Sequence, residues 1–229
     1  MKVQNNFLFG DDGKQVAYKA SPNIGKAKKG YKLMVIHFDG ASGTQGLNWL
    51  LDKTSKVSSE LWLSREGKVI QLAPFNVTCW HAGVSVWRGL EGINSYGIGI
   101  EVQNTGGQAY TDIQMDELGK VVKSLVETYK LEIVGHEDIA PIRKSDPSGT
   151  KLLLFDWKRL FDAVGVHTEL YNTTADLNVR RGQGTDYPAV TKLKLGTEVY
   201  ELNRVGEWSK IQVKGSMQSG WVSNKYLTK

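Results

Sequence analysis

The apolar pattern of this 229-residue chain changes its period near Gly165. Upstream, strand-like and helix-like segments interleave. Residues 31–38 read as a buried strand ending at His37, and residues 61–72 as a hairpin turning at Glu66-Gly67. In residues 98–103, alternation sets Ile98, Ile100 and Val102 on one face and Gly99, Glu101 and Gln103 on the other. Thr111 and Gln114 have capping-box spacing, and Leu118, Val121, Val122, Leu125, Val126 and Tyr129 follow as one helical stripe. A short strand at 131–134 leads to Gly135-His136. A second helix is expected over 150–164, with Gly165 as its C-cap. This order predicts an α/β unit with a mixed central sheet flanked by helices.

Downstream the helical stripe disappears. Residues 166–176 are polar and unpatterned, and read as a linker. Residues 177–229 hold short apolar runs separated by Gly-rich turns, the pattern of a small all-β barrel. Charge divides the same way. Residues 1–176 carry equal numbers of basic and acidic side chains, so the formal net charge of +5 falls wholly in residues 177–229. That distribution argues against a uniformly basic nucleic-acid binder. With 40% apolar and 23% charged residues the chain is too apolar for disorder. A single cysteine forms no internal disulfide, no apolar run is long enough for a transmembrane segment, and Phe7-Leu8-Phe9 is too brief for a Sec signal peptide.

Three residues stand out chemically. His37 closes a strand, His136 follows one, and Asp146 lies in a loop ahead of a helix. Two imidazoles and a carboxylate suffice for a catalytic zinc site that keeps one position open. By spacing alone each could equally be an ordinary structural residue. Cys79 and His81 also alternate onto one face, but Cys79 reads better as a small buried hydrophobe.

Several motifs occur in a fixed order: Val35-Ile36-His37-Phe38, Gly67 to Leu72, Trp80-His81-Ala82-Gly83, Ser95 to Glu101, Val134 to Pro141 and Lys144 to Gly149. Together they resemble the zinc-dependent N-acetylmuramoyl-L-alanine amidases of the amidase-2 family, relatives of peptidoglycan recognition proteins and phage lysozyme-amidases. The resemblance spans roughly residues 30–165. Leu177 to Arg180, Gly206-Glu207-Trp208 and Gly220-Trp221-Val222 resemble a bacterial SH3-like domain.

The resemblance implies that His37, His136 and Asp146 bind Zn2+, that Glu101 is the general base and that Lys144 stabilises an oxyanion. It implies that Trp80 and His81 line the substrate groove. Glu60 stands where the family often has His, a position not expected to bind zinc. The implied domains are an amidase at 1–165, a linker at 166–176 and a wall-binding module at 177–229. The implied activity cuts the bond between N-acetylmuramic acid and L-alanine in peptidoglycan, as in an endolysin or a secreted effector. Glu101 is then expected to stay ionised beside the metal. The basic module suggests a second contact with anionic wall polymers. Without a Sec signal, the protein is expected to be made in the cytoplasm and to reach the wall by lysis or a dedicated route. A non-catalytic peptidoglycan-binding protein and a cytoplasmic muropeptide-recycling amidase are the alternatives.

Overall fold

The computed structural model describes residues 1–229. In chain order the strands that build its two main sheets begin with β1 (Ala17–Tyr18), β2 (Leu33–Phe38), β3 (Leu61–Leu63), β4 (Val69–Gln71), β5 (Gly97–Val102) and β6 (Glu132–Gly135). They continue with β7 (Glu169–Thr173), β8 (Leu177–Arg180), β9 (Ala189–Leu193), β10 (Glu198–Val205), β11 (Trp208–Val213), β12 (Ser219–Ser223) and β13 (Leu227–Thr228). The helices are α1 (Gln45–Leu51), α2 (Asp112–Tyr129), α3 (His136–Ile139) and α4 (Trp157–Val164). None is long and apolar enough to cross a membrane.

The first sheet is mixed, in the order β6-β2-β5-β3-β4-β1. Strands β6, β2, β5 and β3 run parallel, and β4 returns antiparallel from β3. One face carries Met34, Ile36, Ile98, Ile100 and Val102 against the stripe Leu118, Val121, Val122 and Leu125 of α2. Phe155, Trp157, Leu160 and Phe161 complete this core. Helix α2 begins where the sequence predicts. The Thr111 hydroxyl accepts from Gln114 N–H, and the Gln114 side chain accepts from Thr111 N–H.

The second sheet is antiparallel, in the order β9-β8-β12-β11-β10-β7-β13, and curls around Val179, Val199, Ile211 and Val222. It starts earlier than expected. Residues 169–173, assigned to a linker by their polarity, pair with both β10 and β13. Their polarity is that of a strand with one solvated face: Tyr171 and Thr173 turn inward, and Leu170 and Asn172 do not.

The expected helix over 150–164 is shorter, because α4 begins at Trp157. Asp156 caps it by accepting from Arg159 N–H. Upstream, Leu152 sits at positive φ, and the amides of Leu153 and Leu154 both donate to Ser148 O. Gly165, at φ 85°, ends the helix in the left-handed conformation that glycine adopts most cheaply.

The two sheets are not beads on a string. Trp221 of β12 is packed into a cluster with Leu33, Val35, Ala82, Trp87, Ile93, Val134 and Ile139. Arg88, Glu132 and Asn203 bridge the units at the surface. Gln212 receives Lys158 N–H and donates to Asp156.

Candidate metal centre and active site

Strands β6, β2 and β5 are parallel, so their C-terminal ends lie along one edge, where open α/β sheets bind ligands. His37 and Glu101 are direct register partners on β2 and β5 and project to the same face. That face is opposite the one packed on α2, as the alternation of Ile98, Ile100 and Val102 requires. His136 follows β6 directly and opens α3. Asp146 returns to it because its carbonyl accepts from Glu137 N–H at 2.9 Å.

The three candidate ligands meet. His37 Nδ1 lies 2.9 Å from His136 Nδ1 and 3.1 Å from Asp146 Oδ2, and His136 Nδ1 is 3.0 Å from the same oxygen. All three residues are buried. Their outer contacts decide which imidazole atoms face inward. His136 Nε2 donates to Ala82 O at 3.0 Å, which leaves Nδ1 with a lone pair. His37 Nε2 is 3.0 Å from His81 Nδ1. Glu60 Oε2, 3.8 Å from His81 Nε2, favours the proton on that nitrogen, so His81 Nδ1 accepts from His37. Two lone pairs and a carboxylate at such separations repel unless a cation sits among them. The donor set, N2O, suits zinc. Glu101 adds a further sign of fit, since its Oε2 is buried with no hydrogen-bond partner and its Oε1 lies 4.0 Å from His37 Nδ1.

The electrostatics agree. Burial, reinforced by His136, pushes His37 down to about 4, so the ring is a neutral ligand at pH 7. Burial, then Asp146 and Asp39, raises Glu101 well above its ordinary value, with Lys144 opposing. The side chains alone therefore favour a neutral Glu101. Its expected ionisation depends on the positive charge of an ion at the three ligands.

These residues line a cleft of about 270 Å³ that also takes in Lys144, Trp80 and Trp49. Trp49, 56% exposed on α1, carried no signal in the sequence beyond being an aromatic residue at a helical position. His81 also lines this cleft, and its side chain is packed behind His37. Gly99 makes this possible, because a Cβ there would stand 2.7 Å from the His81 ring. Behind His81 lies an ion pair that the sequence did not announce: Lys28 Nζ to Glu60 Oε1 at 2.6 Å, both side chains essentially inaccessible.

Comparison with known proteins now decides the family. Residues 27–149 match the family model described as N-acetylmuramoyl-L-alanine amidase. The chain belongs to this amidase family. Residues 175–228 match a bacterial SH3 domain.

Among curated amidases, the 1,6-anhydro-N-acetylmuramyl-L-alanine amidase AmpD of Escherichia coli is 41% identical over 107 residues, 45% of this chain and 56% of its own. N-acetylmuramoyl-L-alanine amidase AmiD of Escherichia coli is 32% identical over 168 residues, 65% of this chain and 56% of its own. The chain thus spans about half the length of the curated relatives it matches. A crystal structure of a selenomethionine AmpD derivative superposes with TM-score 0.58 at 28% identity, covering 71% of this chain and 99% of that one. The complex of Escherichia coli AmiD with anhydro-N-acetylmuramic acid-L-Ala-D-gamma-Glu-L-Lys superposes with TM-score 0.53 at 30% identity, covering 68% and 65%. The amidase fold, a central sheet with flanking helices, is therefore shared, with a curled all-β domain added.

Proposed function

We propose that this amidase-family protein is a zinc enzyme that hydrolyses the amide joining the lactyl group of N-acetylmuramic acid to L-alanine in peptidoglycan. The observation that carries the proposal is the convergence of His37, His136 and Asp146 beside Glu101, in a cleft that Lys144 also lines. Zinc held by the three ligands supplies Lewis acidity and makes water more acidic at that point of the cleft. Glu101 takes the proton from the attacking water and returns it to the departing amine, general acid–base work worth about 10²–10⁴-fold. The Lys144 ammonium offsets the negative charge that develops on the carbonyl oxygen, worth roughly 3–4 kcal/mol by analogy with oxyanion-hole donors. Trp80 and Trp49 offer apolar ring faces at the cleft for a glycan-peptide substrate. His81 acts through His37 rather than on substrate.

The curled domain adds a second contact with the wall. Its surface groove is lined by Trp208 and Tyr226 with Arg180, Lys225, Asp176 and Glu207, an aromatic and mixed-charge surface suited to a polar polymer. Action at the wall after lysis or dedicated export fits that contact. A second reading, soluble 1,6-anhydromuropeptides as substrate, is favoured by the names of the AmpD relatives.

One experiment tests both. Intact sacculi and purified anhydromuropeptides are each digested with and without a chelator, and the products are read by mass spectrometry. Release of free L-alanine N-termini that the chelator abolishes is the expected result. No cleavage of either substrate by zinc-loaded protein overturns the enzymatic reading.

A further inference from the structure

The segment that carries two of the three ligands is anchored from the other domain. On β11, Trp208, Lys210 and Gln212 alternate outward from the curled sheet, while Ile211 turns into its core. Lys210 is the cross-strand partner of Trp221 on β12, so both side chains leave the sheet on the same side. They enter the amidase together. Lys210 is 5% exposed at its side chain, and its Nζ reaches Asp138 Oδ2 at 2.5 Å and Glu137 Oε1 at 3.4 Å. The same ammonium stands 3.6 Å over the Trp157 ring. Trp221 Nε1 donates to Asp138 Oδ1 at 3.0 Å. Both carboxylates belong to the residues that directly follow His136.

These carboxylates hold the ligand-bearing turn. Asp138 Oδ2 accepts from Gly135 N–H at 2.8 Å, bracketing His136. Glu137 accepts from both the amide and the hydroxyl of Ser148, two residues beyond Asp146. Glu137 N–H donates to Asp146 O. A single buried cation from the second domain is therefore shared by the two carboxylates that set the spacing of His136 and Asp146. Without it, the two buried acids of adjacent residues lose the cation they share.

We propose that Lys210 and Trp221 are positioning residues of the metal centre, and that the curled domain is a structural part of the catalytic site as well as a wall contact. The proposal rests on the metal reading of His37, His136 and Asp146. It extends that reading to residues outside the region matched by the amidase family model, which ends at 149.

The test uses the full chain as Lys210→Met and Trp221→Phe, with Lys214→Met as a control, since Lys214 pairs only with Glu198 at the surface. Zinc affinity is measured by chelator competition, and the visible spectrum of the cobalt-loaded protein reads ligand geometry. Hydrogen exchange of the metal-free protein is followed at residues 135–148 and, for comparison, along β2 and α2. Lys210→Met is expected to lower zinc affinity at least about tenfold, the range seen when outer partners of ligands are lost. It should also alter the cobalt spectrum and speed exchange at 135–148 while β2 and α2 stay protected. Trp221→Phe, which deletes one hydrogen bond and keeps most of the packing, is expected to show the same pattern at smaller amplitude, and it carries the test if Lys210→Met does not fold. Wild-type affinity, spectrum and exchange in the folded variants overturn the proposal. Faster exchange spread evenly over the chain overturns it as well, because that is general destabilisation. Exchange in the metal-free protein separates this outcome from failure of the enzymatic reading, since it needs neither zinc nor turnover.

Discussion

Replacing Lys28 with Met isolates the ion pair beneath His81. Lys28 and Glu60 are 2.6 Å apart with side-chain exposures of 1% and 0%, so water does not screen them. Lys28 Nζ also donates to Gly97 O at 2.5 Å, and Glu60 Oε2 accepts from Gly99 N–H at 2.7 Å. Removing the ammonium leaves a buried carboxylate with one amide donor and a neutral imidazole for company. His81 stays neutral because burial, then the nearby His37 ring and the Lys28 ammonium, holds its pKa well below the ordinary value. Breaking one side of such a pair costs about 3–5 kcal/mol. For a chain of this size that is a fall in Tm of roughly 6–20 °C. Neutralising both partners, as Lys28→Met with Glu60→Gln, should recover most of the loss, because the Gln oxygen can still accept from Gly99. Urea and thermal unfolding of the metal-free wild type, both single variants and the double variant complete the cycle. The reasoning fails if Lys28→Met lies within about 1 kcal/mol of wild type, or if the double variant is no more stable than the single one.

Asp146→Ala should abolish tight zinc binding in a folded protein, and Glu101→Gln should retain zinc but lose about 10²–10⁴ in kcat; chelator competition and turnover on muropeptides check the two. In the metal-free protein, His37 titrates near 4 when folded and near its ordinary 6.5 when unfolded. The unfolded chain thus binds more protons between those values, and this site's contribution to stability rises with pH across that window. The stability advantage of wild type over His37→Phe should therefore grow from pH 4 to 6.5 in urea titrations, and an advantage that shrinks is the refuting sign. Thr111→Ala removes the cap of α2 and should cost about 1 kcal/mol in urea unfolding without changing zinc affinity.

Local chemistry was readable in the chain. Alternation placed Glu101 opposite Ile98, Ile100 and Val102, and the structure keeps it there because one face of β5 must pack on α2. The Thr111–Gln114 box set the start of α2, since a cap needs only residues three apart. Other features depended on partners far along the chain. The polar strand 169–173 resembled a linker because its pairing partners lie near residues 200 and 228. Residues 152–155 continued a helical pattern, but Leu152 O is used by Ser219 N–H of the second sheet, and the helix starts later.

The chain alone fixed the kinds of side chain available: two imidazoles, two acids and a lysine at strand ends and loops, and a charge imbalance confined to the last stretch. Tertiary structure decided what they do. It turned His81 inward behind His37, buried Lys28 against Glu60, and drew Lys210 from a basic surface into the amidase against Asp138, 72 residues away in sequence. So part of the +5 reckoned to the second unit serves inside the first. The physical reason is one of range. Caps and periodicity act over a turn or a strand, whereas a buried charge finds its partner only when register and packing have fixed which distant groups share one site excluded from water.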